Sequence, residues 1–357
     1  RVKVLSPRAL LERLERRLPA LAAGSRDAPE RQRTLRATIE WSSELLSADE
    51  QRLFRRLSAF RGGWTLEAAE AICDADLDTL HSLVEKSLVR HREDRYSMLE
   101  TIREHAAELL ESSGEAPEVR RRHAEHFLAL GERHAPTLLS AHPEPALDVL
   151  EPEHDNVRAA LDAFEAAGDV ERAMRLAGSV FELWCLRSRV PEGYGRLERL
   201  LLRDERATPA RARALLGAAH LDLGIGAQVR SRWAEEAMEL NATLGDEWGI
   251  ALAEHVLAGS MCEQGDFASA RPLLERCVAR FEALGDEHRA LMAMRTLAWA
   301  LGALGEEARQ LRLYELILER ARVHGDRLME QRTLSTLGRM AAHSGRLGEV
   351  RLEIRHK

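Results

Sequence analysis

Apolar and polar residues follow a helical period through the C-terminal half of the chain, and this pattern repeats after forty residues. Two stretches align without a gap, "ALAEHVLAGSMCEQGDFASARPLLERCVARFEALGD" (251–286) and "LMAMRTLAWALGALGEEARQLRLYELILERARVHGD" (291–326). Each contains two apolar-periodic segments joined by a polar turn with glycine, which predicts a helix–turn–helix hairpin. One hairpin cannot bury both of its apolar faces, so we expect neighbouring hairpins to stack into a solenoid.

Two sets of aligned residues define the register of this repeat. The apolar set, which we expect to be buried, is Leu257, Leu297 and Leu337. The set expected in the turn within each hairpin is Gly265, Gly305 and Gly345. Between hairpins the dipeptide Gly-Asp recurs at the same spacing. We expect its glycine to adopt the left-handed conformation that ends one helix, and its aspartate to cap the next.

The segment "EQGDFASARPLLERCV" (263–278) resembles the tetratricopeptide (TPR) pattern. Small residues stand where two helices approach, and Phe267, Ala270 and Cys277 stand at packing positions of the second helix. The spacing is longer than that of the usual TPR, which implies longer helices or loops. The copy at 210–249, whose turn is "LGIGAQ" (223–228), fits less well, and another helical solenoid is the alternative.

Residues 34–114 follow a different pattern of apolar and polar positions. Ser47, with Glu50 three residues later, predicts a capped helix start, and Thr65 opens a short helix. Further helices are predicted at 76–89 and 99–114, with a β-hairpin between them around the turn at Glu93 and Asp94. Three helices, a two-stranded wing and a following helix are the order of a winged-helix domain.

The charges on the third helix of this domain, residues 76–89, predict poor DNA binding. This helix carries Asp76, Asp78 and Glu85 against the single cation Lys86. Phosphate contacts need clustered arginine or lysine, and base readout needs donors on the exposed face. We therefore expect the domain to act by a route other than reading DNA.

Composition supports a large helical protein. The chain has 357 residues, of which 45% are hydrophobic and only 4% aromatic, and its net charge is −7. The length indicates two or three domains, and the acidic balance argues against nucleic acid as the main partner. The predicted class is mainly all-α: a winged-helix domain with a small β-hairpin, a helical connector and a TPR-like α-solenoid. The predicted segments are 1–33, 34–114 (winged helix), 115–205 (connector) and 206–357 (repeats).

Cysteine and histidine usage gives no metal motif along the sequence. Cys73, Cys185, Cys262 and Cys277 are scattered without a CxxC pair, which favours buried thiols in a reducing cytosol. The basic run 118–127 contains two histidines and is predicted to be a solvated helix face. We find no signal peptide and no apolar run long enough to span a bilayer, so we expect a cytoplasmic protein without a membrane partner.

Several blocks in order resemble bacterial STAND-type regulators of the NB-ARC class, the large ATPase regulators related to antibiotic-pathway and maltose-type activators and to large LuxR-type proteins. The blocks are "RQRTLRATIEWSSELLSADEQRLFRRLSAFRGGWTLEAAEAIC", "LHSLVEKSLV", "RYSMLETIREHAAELLE", "VRRRHAEHFLAL" and "EHDNVRAALDAF". The resemblance implies the order ATPase domain, small helical domain, winged helix, connector and TPR sensor. Residues 1–33 then resemble the end of the small helical domain, and the chain is expected to be a fragment that lacks the ATPase.

The chain lacks the nucleotide-binding motifs that are typical of that family. No GxxxxGK[ST] sequence occurs, so we expect a binding protein that is not an enzyme and holds no cofactor, although its parent should bind ATP or ADP with magnesium. The family's Met-His-Asp motif aligns with Met98, Leu99 and Glu100, and Leu99 cannot hydrogen-bond a phosphate. With Arg103, these residues are expected either to lie near the missing ATPase or simply to start a core helix.

The resemblance implies a regulatory and sensor role. An inducer, protein or small molecule, would bind the groove of the solenoid and control a nucleotide-dependent switch, with the missing ATPase domain as a partner and a homo-oligomer as the active form. Counting along the first helix of each hairpin gives as groove residues His255, Arg295, Trp299, Arg332 and Arg339. Arginines beside an aromatic ring suit a carboxylate or other anion. Alternatively, Trp299 packs inside the solenoid and the arginines pair with nearby carboxylates.

Two other functions fit the sequence. One is a stand-alone TPR scaffold for protein interactions, and the other is a winged-helix DNA-binding protein with a TPR dimerisation arm. A Walker A motif upstream of Arg1 would favour the regulator.

Overall fold

The computed structural model describes the backbone of residues 30–222 and 227–343, and the side chains of residues 36–222 and 232–341. In this part of the chain seventeen helices and one two-stranded hairpin form two compact units. Unit 1 comprises the described residues up to Leu130 together with Glu151–Ala167. Unit 2 comprises Gly131–Leu150 together with those from Gly168 onward. The segment 115–205 that the sequence marks as a connector contributes to both, and most of 1–33 lies outside the described residues.

Unit 1 has the element order of a winged helix, as predicted. Its elements are α1 (Glu30–Glu44), α2 (Ala48–Leu57), α3 (Leu66–Cys73), α4 (Leu77–Glu85), β1 (Arg90–Arg92), β2 (Arg95–Ser97), α5 (Glu100–Ser113), the first part of α6 (Ala116–Leu138), and α8 (His154–Ala166). The two strands pair antiparallel, with His91 opposite Tyr96. The mainly α fold with a small β-hairpin is confirmed.

Side-chain caps fix where these helices begin. The Ser47 hydroxyl accepts from the Glu50 amide (3.3 Å) while the Glu50 carboxylate accepts from the Ser47 amide (2.7 Å), so the predicted capping box is present. At the start of α3 the Thr65 hydroxyl accepts from the Ala68 amide (3.3 Å), a single cap without the reciprocal bond. Helix α4, the acidic helix that the sequence predicts over residues 76–89, ends at Glu85, four residues before the predicted end. Ser87 has φ +60°, and the carbonyl of Leu83 accepts from the amides of Leu88 and Val89, so the chain turns into β1.

Aromatic side chains and a tight backbone contact join the wing to the helices of unit 1. Phe60 stacks on Trp64 with ring centroids 5.1 Å apart, and both are almost fully buried. The backbones of Trp64 and Tyr96 exchange two hydrogen bonds of 2.9 and 2.8 Å. Gly63, at φ +122°, lies so close to this pair that a Cβ there would be 2.8 Å from the Tyr96 carbonyl. Only glycine therefore allows the chain to reach the wing at this point.

Unit 2 is a row of helical hairpins. Besides the end of α6 and α7 (Glu144–Leu150), it contains α9 (Val170–Leu186), α10 (Val190–Leu201), α11 (Pro209–Leu221), α12 (Ala227–Leu244), α13 (Glu247–Glu263), α14 (Phe267–Ala283), α15 (Glu287–Ala303), α16 (Glu307–His324) and α17 (Arg327–His343). From α9 to α17 each helix packs against the next in order, which is the predicted solenoid.

The forty-residue register holds at the turns. Gly245, Gly285 and Gly325 have φ values of +72°, +72° and +70°, and Gly265 and Gly305 have +82° and +80°. The aspartates that follow the first three glycines accept from the amide three residues on, in each case capping the next helix. Gly345 and residues 223–226 lie outside the described residues. The Gly-Asp dipeptide therefore ends one hairpin and starts the next, as predicted.

The apolar register is confirmed at two of its three positions. Leu257 is 4% exposed and Leu297 is 9% exposed, whereas Leu337 is only partly buried. Leu337 lies in α17, where it packs on a cluster formed by Leu291, Met294, Tyr314, Ile317 and neighbours. Within the described ranges, no helix is long and apolar enough to cross a membrane.

Candidate functional site

The exposed face of α4 is acidic, as the sequence indicates. Asp78 and Glu85 are exposed, and Leu77, the first residue of the helix, is 58% exposed. Lys86, directly after the helix, donates to the carboxylate of Glu50, which also accepts from the Ser82 hydroxyl. The hydrogen bond from Lys86, with that from Ser82, lowers the pKa of Glu50 to about 2. The ammonium group at the end of α4 is thus already paired within unit 1.

The wing carries the basic residues of this surface. Arg90, His91 and Arg92 are exposed, and the His91 ring stacks on Tyr96 with centroids 4.5 Å apart. The turn that follows β1 is acidic, with Glu93 and Asp94 exposed. The cations of the wing therefore stand beside an acidic turn and an acidic helix, which weakens their attraction for a phosphate backbone.

The four residues expected near a nucleotide lie at the start of α5. Leu99 is 41% exposed, and Met98 is half-buried. Arg103 makes two hydrogen bonds to the Glu100 carboxylate, of 3.0 and 2.6 Å, and a long one to the Ser58 carbonyl. The structure thus places an exposed apolar side chain, Leu99, beside an arginine that is paired with Glu100 and only 11% exposed.

The basic run 118–127 is not a uniformly solvated helix face, and that prediction was wrong for His123. This side chain is 3% exposed and lies against Phe60 and Phe127. Burial lowers its pKa to about 4, so it is neutral at physiological pH, and its Nε2 lies 3.3 Å from the Asn156 Oδ1. The sequence pattern failed because Phe60, one of the two aromatic side chains that cover His123, comes from a distant part of the sequence.

Asn156 connects three parts of unit 1 and was not singled out from the sequence. It is fully buried. Its Oδ1 accepts from the Arg61 amide (2.7 Å), and its Nδ2 donates to the Gly63 carbonyl (2.8 Å) and to Glu153 (2.6 Å). Glu153 also pairs with Arg95 of β2. Asn156 therefore holds the loop before α3, and Glu153 holds the wing. The role of this polar pair is structural.

In unit 2, the first helix of each hairpin contacts the first helices of other hairpins. We call α9, α11, α13, α15 and α17 the inner helices. His255 on α13 lies 3.0 Å from the Thr296 hydroxyl on α15, and Arg289 on α15 reaches Glu182 on α9 at 3.4 Å. The predicted groove residues all belong to inner helices.

Two of these residues are partly enclosed. Arg295 is half-buried, and its Nε is buried without a hydrogen-bond partner in the described part of the structure. Burial, followed by the charge of Arg332, lowers the pKa of Arg295. Trp299 is 43% exposed and packs edge-to-face on Phe267, with ring centroids 5.5 Å apart. The aromatic face is therefore shared between a packing contact and solvent.

The remaining arginines of the set lie on α17. Arg332 and Arg339 are exposed, and Arg339 donates to the Thr336 hydroxyl at 3.4 Å. The charges of Arg295 and Arg339 both act on the buried Tyr314, whose pKa is raised chiefly by burial. Electrostatic interactions thus link Arg295 with Arg332, and link both Arg295 and Arg339 with Tyr314.

A second group on the inner helices escaped the sequence analysis. Arg289 is 1% exposed, with a buried Nε that has no partner among the described residues. Its Nη2 faces Glu182, whose Oε2 also lies 3.6 Å from the His220 Nε2. Cys185 completes the group, and burial raises the pKa of its thiol to about 11. Thirty-five residues separate Cys185 from His220, so no linear motif signals their proximity.

A winged helix-turn-helix family profile matches residues 46–111. Proteins of Mycobacterium bovis and Mycobacterium tuberculosis, named as candidate HTH-type transcriptional regulators, are 35% identical over 292 residues. The aligned region covers 76% of this chain and 32% of those proteins. An uncharacterised Mycobacterium tuberculosis protein is also 35% identical, over 139 residues, covering 36% of this chain and 35% of its own length. The chain therefore spans about a third of the length of these relatives.

Two solved structures show partial likeness. One is a STAND protein with a tetratricopeptide repeat sensor from Pyrococcus horikoshii, at a TM-score of 0.43 and 13% identity, covering 93% of this chain and 60% of that one. The other is a Podospora anserina protein with nearly identical kinesin-light-chain TPR-like repeats, at 0.39 and 17%, covering 56% of this chain and 96% of that one. At these TM-scores neither likeness supports an argument about function.

Proposed function

We propose that this chain is the regulatory and sensor portion of a STAND-type transcriptional regulator, and that it works by binding rather than catalysis. The observation that carries the proposal is the 35% identity to mycobacterial proteins named as candidate HTH-type regulators, which covers 76% of the chain and so extends over both units. The ordered sequence blocks add the STAND resemblance. A cytoplasmic location follows from acting on transcription.

In this proposal unit 2 receives the signal. A protein or small-molecule inducer binds the inner helices, and Arg295, Arg332 and Arg339 supply the positive charge for an anionic group on it. Two features support this placement. The buried Nε of Arg295 has no partner in the described structure, and the charges of Arg295 and Arg332 act on one another. An anion between them would relieve both the missing hydrogen bond and the repulsion.

Unit 1 transmits the signal. We propose that the winged helix contacts the ATPase domain of the parent protein and holds it around ADP until inducer binding shifts the equilibrium to an ATP-bound, oligomeric state. The start of α5 is the proposed contact. Leu99, exposed and apolar, suits a protein surface better than a phosphate, while Glu100 and Arg103 are paired with each other.

The chain itself should bind nucleotide weakly. Without a P-loop it lacks the backbone amides and lysine that hold phosphates, so we expect a Kd for ATP or ADP of about 1 mM or higher. Isothermal titration calorimetry with each nucleotide and magnesium measures this. A micromolar Kd would contradict the assignment of nucleotide binding to the parent's ATPase domain.

The alternative function, DNA binding by the winged helix, has a direct test. Because α4 is acidic and Lys86 is paired, we expect a Kd above about 10 µM for any short duplex at physiological salt. Fluorescence anisotropy of labelled duplexes measures it. The double variant Asp78→Lys/Glu85→Lys should bind more tightly and with a steeper salt dependence.

A different result in the same titration would favour the DNA-binding alternative. That result is tight, sequence-dependent binding by the unaltered chain that is lost in Arg90→Ala/Arg92→Ala. The other alternative, a stand-alone interaction scaffold, predicts that deleting the gene leaves transcription unchanged.

A further inference from the structure

We propose that Glu182, Cys185 and His220 form a binding site for one divalent transition-metal cation of the zinc class, with a fourth coordination position open to water or an anionic ligand. One ligand atom from each side chain lies within 4.8 Å of the other two. All three residues are half-buried, so the site is reachable from solvent. This inference goes beyond the proposed function and does not depend on it.

The ligand set selects the metal. A thiolate, an imidazole and a carboxylate are all ligands of Zn²⁺, and three protein ligands with an open position are typical of sites that bind a further molecule. Tetrahedral zinc holds such atoms roughly 3.3–3.8 Å apart, so small rotations of the side chains close the present arrangement. Magnesium and calcium prefer sets made only of oxygen atoms and should bind poorly here.

The local packing explains how two helices supply the three ligands. Glu182 and Cys185 are three residues apart on α9 and therefore share a face. His220 comes from the last turn of α11. Glycines allow α9 and α11 to approach closely: a Cβ at Gly178 would lie 3.3 Å from the Ala214 amide, and one at Gly217 would lie 3.0 Å from the Phe181 Cβ.

Contacts around the ligands already orient two of them. The His220 ring packs edge-to-face on Phe181, with centroids 5.6 Å apart. The Glu182 Oε2 lies 3.6 Å from the His220 Nε2 and 3.4 Å from the Arg289 Nη2. A carboxylate can use one oxygen for a guanidinium and the other for a metal. The residues on the inner helices therefore need little rearrangement to coordinate a cation.

Arg289 sets the affinity and the preference for the fourth ligand. Its buried positive charge opposes a nearby cation, which lowers metal affinity. The same charge attracts an anionic group at the open position, and its buried Nε lacks a partner in the described structure. Methionine occupies the equivalent place forty residues later, where Met329 is 1% exposed. Arg289→Met is therefore a substitution that the repeat already accommodates.

The test uses the full chain, freed of metal and titrated with Co²⁺ and then Zn²⁺. We expect one equivalent of Co²⁺ to give the thiolate-to-cobalt charge-transfer absorption of a tetrahedral site, and Zn²⁺ to displace it with a Kd of about 1 µM or lower. Cys185→Ala should abolish the charge-transfer band, and His220→Gln should weaken binding about 100-fold. Arg289→Met should tighten binding about tenfold or more.

Matched variants separate the site from general effects. Cys262→Ala removes a buried thiol and His255→Gln an inner-helix imidazole, and both should bind cobalt as the unaltered chain does. Circular dichroism confirms that each variant is folded. The proposal is overturned if the unaltered chain gives no charge-transfer band, if the band persists in Cys185→Ala, or if folded Arg289→Met binds more weakly. None of these outcomes bears on inducer binding or transcription.

Discussion

Replacing Leu297 by alanine should lower the free energy of unfolding by about 2–5 kcal/mol, the range for removing a buried leucine side chain. Leu297 lies in α15 at the position that repeats as Leu257, and it is 9% exposed. Alanine would leave a cavity that the flanking hairpins cannot fill without moving. Urea denaturation followed by circular dichroism measures the loss.

Leu316 is the matched control for this substitution. It lies in the second helix of the same hairpin and is 41% exposed, so Leu316→Ala should cost less than about 1 kcal/mol. Equal losses for the two variants would contradict the forty-residue register, because that register requires one leucine inside and allows the other outside.

Replacing Asn156 by alanine should destabilise unit 1 by about 2–4 kcal/mol, since it leaves the Arg61 amide and the Gly63 carbonyl without their partner. Both backbone groups now bond to a side chain that is fully buried. Thermal denaturation followed by circular dichroism measures the loss. Asn156→Asp should be no better, because aspartate cannot donate to the Gly63 carbonyl and would face Glu153.

The neighbouring Asp155 provides the control for Asn156. Its side chain is 56% exposed and pairs only loosely with Arg158, at 3.6 Å. Asp155→Ala should therefore change stability by less than about 0.5 kcal/mol. If Asn156→Ala were equally mild, the hydrogen bonds from Asn156 would not be what holds the loop to the wing.

Local signals in the sequence predicted much of the fold. These signals are the Ser47–Glu50 pair, the Gly-Asp dipeptides and the apolar period. Each depends on residues close together in the sequence, so it predicts the same local structure whatever packs around it. They located the helix starts, the hairpin turns and the repeat. The end of α4 was predicted too late, because the apolar residues Leu88 and Val89 continue the helical pattern although their backbone has already turned toward β1.

The candidate site residues and the buried polar residues were harder to predict because their surroundings depend on distant neighbours. His123 looked solvated among its basic neighbours but is covered by Phe60, some sixty residues away. Arg295 was correctly assigned to an inner helix, yet its burial and its proximity to Arg332 depend on how consecutive hairpins stack. Glu182, Cys185 and His220 come together only because Gly178 and Gly217 let two helices approach, and periodicity alone does not indicate such an approach.

We propose that binding on the inner helices of this chain controls transcription. Transcripts can be compared in the native host among strains carrying the unaltered gene, a deletion, Arg295→Ala/Arg339→Ala, and the control Arg271→Ala/Arg309→Ala. The control arginines lie on the second helices α14 and α16, where both pair with Glu306.

We expect deletion to change a defined set of transcripts and the inner-helix variant to change the same set, at normal protein level and melting temperature. The control variant should match the unaltered strain. Binding on the inner helices would not control transcription if the inner-helix variant matched the unaltered strain while the deletion changed transcripts, or if the deletion changed none.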